Sequence, residues 1–259
     1  MSYDLIHILE SDKPSSILRE LDKSSFLIDI LPELCALKSI DKGHKDNFEH
    51  TLRVLDNTCE VTTDVYLRLT AVLHDIGKAV TKEFKNGCWT FQYHEEYGAK
   101  MIAPIFKRLN LDVSKLEYVE KITRFHGRVK ELSKDVSDAA IRRFYKEFGA
   151  EYFDDLILFC QQDCTTKYAD KRLRQYNELE AVKQRTYEIK QEDLEATYRI
   201  PIDGIWLMQL TGLKGGIWIK EIKDAVEKAI KDNIIQDTQE EAERLAIQLL
   251  IDKKLYVQT

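Results

Sequence analysis

Val65-Tyr66-Leu67-Arg68-Leu69-Thr70-Ala71-Val72-Leu73-His74-Asp75-Ile76-Gly77-Lys78 is the stretch on which the reading of this chain turns. Val65, Leu69, Val72, Leu73 and Ile76 recur at helical spacing, which predicts an amphipathic helix over 64–77 with one apolar stripe. His74-Asp75 falls at the buried end of that helix, where Gly77 can terminate it. A carboxylate at a buried position is costly unless it is paired or binds a metal.

On either side, further histidines and one aspartate complete an ordered series: His50, His74-Asp75, His94, His126 and Asp163. Asp163 lies seven residues after Leu156 and His126 seven after Val119, so both point inward with the apolar stripes of their own segments. Imidazole and carboxylate together suit zinc, manganese, iron, nickel or magnesium, and no Cys-x-x-Cys pair is present to make a thiolate zinc knot. His50, His74, Asp75 and Asp163 would complete a mononuclear site. His94 and His126 add nitrogen enough for a second ion bridged by Asp75. A bound dication brings the pKa of a coordinated water to about 7, and two ions about 3.5–4 Å apart clamp a phosphate for in-line displacement, so phosphoester hydrolysis is the expected chemistry. Lys78, three residues after Asp75, is expected beside the open face as a point charge for a phosphate oxygen. Arg128, two residues after His126, and His44 in the loop before His50 are further candidates for substrate contact.

The rest of the chain reads as all-α. Only four prolines interrupt 259 residues, and helices are expected over 24–38, 46–62, 64–77, 94–110, 115–126, 136–148, 151–164, 166–193, 203–211, 216–231 and 238–256. One short β-hairpin is expected where Asn86-Gly87 separates Glu83-Phe84-Lys85 from Cys88-Trp89-Thr90-Phe91. A boundary near 193–202 divides an N-terminal extension (1–24) and a helical core (25–195) from a small C-terminal helical domain (196–259). Asp237-Thr238 with Glu241 forms a capping box for the last helix. The five cysteines are odd in number and read as reduced core residues. A formal charge of -6 argues against a broad electrostatic grip on nucleic acid; no DNA partner is expected, and any RNA contact should be local. No stretch approaches the roughly 18 apolar residues of a membrane helix, and the start has no basic flank or cleavage signal, so a cytoplasmic protein is expected.

Phe48-Glu49-His50-Thr51-Leu52, Ala71 to Lys78, His94-Glu95-x-x-Gly98-Ala99 and the late Asp163 resemble the HD superfamily of metal-dependent phosphohydrolases, whose doublet is His74-Asp75 here. The resemblance is strongest to the HD region of bacterial CCA-adding tRNA nucleotidyltransferases and their poly(A) polymerase relatives. It continues through Pro201-Ile202-Asp203-Gly204, Leu207-Met208 and Gly212-Leu213-Lys214-Gly215. No Gly-Ser pair followed by Asp-x-Asp precedes it, so nucleotide addition is not expected of this chain. The resemblance implies one or two divalent ions and 2′,3′-cyclic phosphodiesterase, 2′-nucleotidase or phosphatase activity on nucleotides or RNA ends, possibly of tRNA. In that family an arginine follows the late aspartate after a small-residue turn, whereas here Cys164-Thr165-Thr166-Lys167 follows Asp163. Two rivals remain: a nucleoside triphosphate or alarmone hydrolase of the same superfamily, and an RNA-binding partner subunit of a split nucleotidyltransferase.

Overall fold

A computed structural model of the protein describes residues 4–40, 46–132 and 137–256. Among these, α-helices dominate, with a single two-stranded antiparallel hairpin. The chain divides into two compact units, residues 1–190 and 191–259, each with its own apolar core.

The first unit begins with α1 (Leu5–Glu10) and α2 (Pro14–Lys23), capped by Asp4 and opened by Pro14 respectively. Residues 5–23, set apart in the sequence as an extension, therefore supply two helices whose Leu5, Ile8, Leu9, Leu18 and Leu21 join the main core. The single helix expected over 24–38 is instead α3 (Leu27–Ile30), α4 (Pro32–Ala36) and a 3₁₀ turn over Leu37–Ile40. Pro32 explains the break, because it disfavours helical backbone at Leu31 and fits the first position of a new helix.

α5 (Asn47–Val61) starts at Asp46, whose carboxylate accepts the Glu49 amide at 2.8 Å. α6 (Val65–Leu73) starts at Asp64, which accepts from the Tyr66 and Leu67 amides. A single apolar stripe was expected on α6, yet Leu67 through Leu73 are all buried. Arg68 is tolerated there because its guanidinium donates to the carbonyls of Leu9 and Thr62. α6 is the central helix that α5, α1 and α9 pack around.

The helix ends at Leu73, and residues 74–77 form turns before α7 (Lys78–Thr81). Gly77 does not itself terminate the helix, which ends four residues earlier, and its φ is -62°. Its role is clearance: a Cβ there would lie 2.0 Å from the His94 carbonyl oxygen and 2.6 Å from the Gly98 nitrogen. The hairpin follows as β1 (Glu83–Lys85) and β2 (Cys88–Thr90), paired Glu83 to Thr90, Phe84 to Trp89 and Lys85 to Cys88. Asn86 and Gly87 have φ of 51° and 81°, the double positive-φ turn that suits a two-residue hairpin.

α8 (His94–Leu109), α9 (Leu116–Glu131), α10 (Asp138–Phe148) and α11 (Phe153–Gln162) complete the core, with α9 packed on α8, α6 and α11. α12 runs from Ala169 to Thr197. In the second unit, α13 (Gly204–Thr211), α14 (Ile217–Lys231) and α15 (Gln239–Asp252) enclose Leu207, Ile222, Val226, Ala242, Ala246 and Leu250. Thr238 caps α15 by accepting the Glu241 amide. No helix among the described residues is long and apolar enough to cross a membrane.

Candidate metal centre

Five segments deliver one side chain or pair each to a single pocket. His50 comes from α5, His74-Asp75 from the turn after α6, His94 from the first residue of α8, His126 from α9, and Asp163 from the residue that ends α11. All six expected metal-ligating residues are therefore brought together. His50, His74, Asp75 and His126 are nearly solvent-free, and Asp163 is 9% exposed.

The imidazoles are held in a common orientation. His74 Nδ1 faces the Ala71 carbonyl at 2.9 Å, His94 Nδ1 the Phe91 carbonyl at 3.0 Å and His126 Nδ1 the Thr123 carbonyl at 2.7 Å. A carbonyl can only accept, so each Nδ1 carries the proton, and in the neutral ring Nε2 keeps a free lone pair. His50 Nδ1 lies 2.8 Å from Thr165 Oγ1, which steers its Nε2 to the same side. Such anchoring of the remote nitrogen is characteristic of metal-ligating histidines.

The Nε2 atoms converge on Asp75 and Asp163. His50 Nε2 is 3.0 Å and His74 Nε2 3.5 Å from Asp163 Oδ1, while these nitrogens lie 3.6 and 3.3 Å from Asp75 Oδ2. The other oxygen, Asp75 Oδ1, lies 3.4 Å from His94 Nε2 and 3.9 Å from His126 Nε2. Asp75 thus turns one oxygen towards each pair of histidines. His74 Nε2 and Asp75 Oδ1 are buried atoms without a hydrogen-bond partner. With the ring neutral, a divalent cation is the group that satisfies a lone pair and an anionic oxygen at once. The donors fit such an ion: groups His50/His74/Asp163 and His74/Asp75/His126 each bring ligand atoms within 4.8 Å of one another.

Ionisation follows from the crowding. Burial opposes the charge on Asp75, but His74 and Lys78 outweigh it and hold the carboxyl well below the usual range. Burial is likewise outweighed at Asp163, by Lys130 and His50. His74 is pushed up to about 9 because the two carboxylates overcome its desolvation. His126, equally buried but farther from them and beside His74, is lowered to about 3.

Lys78 Nζ lies 2.5 Å from Asp75 Oδ2, at the pocket wall. Arg128 is placed elsewhere: it forms a two-pronged pair with Glu147 at 2.7 and 2.8 Å, stacks over Phe125, and does not line the pocket. The reason is helical phase, since a residue two positions after His126 faces away from it whereas one four positions on shares its face. That residue is Lys130, whose ammonium contacts Asp163 Oδ2. The four-residue spacing from His126 is the signal in the sequence for Lys130. Asp46 serves as a helix cap, and His44 lies outside the described residues. Thr165, Glu95, Gln175 and Glu178 also line the pocket, a cavity of about 750 Å³. Glu95 lies in the His94-Glu95 motif, whereas Gln175 and Glu178, three residues apart on α12, are polar residues on a largely polar helix and do not stand out in sequence.

The HD domain family matches residues 47–182, and the chain belongs to that family. Among curated proteins it is similar to the Multifunctional CCA protein of Cupriavidus metallidurans, 28% identical over 182 residues, covering 66% of this chain and 43% of that protein. It is similarly related to the Multifunctional CCA proteins of Vibrio parahaemolyticus (26% over 164 residues; 60% and 40%) and Legionella pneumophila (26% over 183 residues; 66% and 44%). The chain spans about two-fifths of the length of these relatives. HD domains are generally metal-dependent hydrolases, and this one has histidine and aspartate groups able to hold a divalent ion.

Proposed function

We propose that this chain is a metal-dependent phosphohydrolase acting on a cyclic or terminal phosphate of nucleotides or RNA ends. The observation that carries the reading is the pair of unpartnered buried atoms, His74 Nε2 and Asp75 Oδ1, at the focus of four imidazoles whose Nδ1 atoms are anchored from behind. His50, His74, Asp75 and Asp163 would hold the ion. When bound, a dication supplies Lewis acidity towards a phosphoryl oxygen and a water activated near neutral pH.

The chain's own residues do the rest. Lys78 and Lys130 stand at the two carboxylates, on the pocket wall, and present ammonium groups to non-bridging phosphate oxygens. The walls set by Phe159 and Cys160 exclude water from the back of the cluster. A cavity of about 750 Å³ accommodates a mononucleotide. Among the described residues two lysines line the pocket, which suits one phosphate better than a triphosphate and favours a 2′,3′-cyclic or monophosphate ester over a triphosphate or alarmone.

A second reading, an RNA-binding partner for a nucleotidyltransferase head, draws on the separate C-terminal unit with its own core. Metal-loaded protein assayed on 2′,3′-cyclic, 2′- and 3′-monophosphate nucleotides separates the two. Turnover that vanishes with a chelator supports the hydrolase. Tight tRNA binding with every ester left intact supports the partner.

A further inference from the structure

We propose that the exposed opening turns of α12, with Lys167 and Tyr168 just before them, are a docking strip for an RNA strand whose 3′ end enters the pocket, so that the substrate is an RNA end and not a free mononucleotide. The inference rests on the hydrolase reading above and deepens it. Thr165 and Thr166 line the pocket, and so do Gln175, Glu178 and Leu179 on α12. Between these two stretches every residue from 167 to 177 is exposed, and the first residue that α12 buries is Leu179. The exposed stretch is basic. Lys167, Lys171, Arg172 and Arg174 face one acid, Asp170, in a chain whose formal charge is -6. Among the described residues no carboxylate lies within ion-pair distance of Lys167, Lys171 or Arg172, and Arg174 shares only Glu178, at 3.6 Å.

Helical phase joins these cations to the pocket. Lys171 and Arg172 stand four and three residues before Gln175, and Arg174 stands four before Glu178. They therefore continue the pocket-lining face of α12 outward by one turn, about 5–6 Å. Tyr168 opens the helix, its carbonyl accepting the Arg172 amide at 3.0 Å. Its ring is 57% exposed and has two ammonium groups beside it, Lys171 Nζ at 5.0 Å and Lys167 Nζ at 5.9 Å from the centroid. An aromatic ring set among cations is the combination that holds single-stranded nucleic acid, the ring stacking on a base and the cations meeting the flanking phosphates. An acidic protein would answer the charges and leave the ring without a role. Continuity with a pocket built for a phosphate ester selects RNA.

Fluorescence anisotropy of a labelled oligoadenylate ending in a 3′ hydroxyl measures docking to the metal-loaded, full-length protein, because that end offers no phosphate ester to cleave. The wild type should bind it more tightly than adenosine monophosphate, with an affinity that falls as salt is raised. Lys171→Gln with Arg172→Gln removes two phosphate contacts; affinity should drop about tenfold near physiological salt, and the slope of log affinity against log salt should flatten by about 1.4. Tyr168→Ala should weaken binding about fivefold or more, and Tyr168→Phe, which keeps a ring, should not. Lys107→Gln with Lys146→Gln deletes the same charge outside the strip and should bind as the wild type. All of these exposed positions should keep the wild-type Tm. Strip variants that bind like the wild type, equal weakening by the Lys107 and Lys146 pair, or strip-dependent binding of phosphatidylserine vesicles with none of oligoadenylate would each overturn the assignment. Docking is read without turnover, so the two readings fail separately: hydrolysis of mononucleotides with no docking removes this inference alone, and strip-dependent docking with every ester left intact removes the hydrolase.

Discussion

Replacing Gly77 by alanine tests the packing that brings two halves of the metal centre together. The added methyl would sit 2.0 Å from the His94 carbonyl oxygen, 2.6 Å from the Gly98 nitrogen and 2.9 Å from the His94 carbonyl carbon. All three are backbone atoms of the first turns of α8, so no side chain can rotate out of the way. Ordinary contact begins near 3.4 Å, and α8 must retreat by roughly 1.4 Å to restore it. Overpacking of this kind costs about 1–3 kcal/mol, and in a protein of this size each kcal/mol moves Tm by about 2–4 °C. Gly77→Ala should therefore lower Tm by roughly 2–12 °C. It should also draw His94 away from Asp75, now 3.4 Å distant, and weaken binding of a second ion more than the first. Gly98→Ala is the control. Its Cβ would meet neighbours only at 3.4–3.7 Å, and alanine in a helix interior is favoured over glycine by about 1 kcal/mol. Differential scanning calorimetry should show Gly98→Ala at or above the wild-type Tm. A Gly77→Ala protein with wild-type Tm and ion binding would refute the clearance argument.

Three further outcomes are expected. Lys78→Ala should retain its metal, measured by elemental analysis, while kcat falls on the order of 10²-fold, since an electrostatic stabiliser of a phosphate oxygen is lost and no ligand is. Ion affinity measured by calorimetry should rise with pH from 7 up to about 9, because the ion must displace the proton that His74 holds up to that pH; a pH-independent affinity would contradict this. In chelator-treated protein, stability should peak near pH 6.5 and fall on both sides. His126, lowered to about 3 in the folded state, leaves the unfolded chain binding more protons below pH 6.5, so stability falls as pH drops from there towards 3. His74, raised to about 9, contributes stability that is fully present below pH 6.5 and lost as pH rises through 9. His126→Asn should flatten the acid limb and His74→Asn the alkaline one in thermal melts across pH; a limb unchanged by its own substitution would contradict the assignment.

Much of the fold, and the inward placement of the histidines and aspartates that meet in the pocket, was legible in sequence because both rest on local periodicity. The inward phase of His126 and Asp163 follows from the residues seven before them, and the Asn86-Gly87 turn follows from the positive φ both residues tolerate. What escaped depends on contacts between distant segments. Gly77 looked like a helix terminator, yet its constraint is the backbone of α8, which no local pattern encodes. Arg128 looked like a phosphate contact by proximity to His126, but helical phase gives that face to Lys130 and leaves Arg128 to Glu147. Thr165, behind His50, is 115 residues from its partner, and nothing in its neighbourhood marks it. α1, at six residues, is too short for its periodicity to be read, whereas α2 carries a clear apolar face through Leu18 and Leu21, and its place in the main core rests on packing with distant segments.

His50, His74, Asp75 and Asp163 are expected to hold a divalent ion. Anomalous diffraction from manganese-loaded crystals, collected at the metal's absorption edge, tests it most directly. A peak is expected at about 2.0–2.3 Å from His50 Nε2, His74 Nε2 and a carboxylate oxygen of each aspartate, lost in Asp75→Ala protein that still folds. A peak elsewhere in the molecule, or none at this cluster in fully loaded protein, would contradict it.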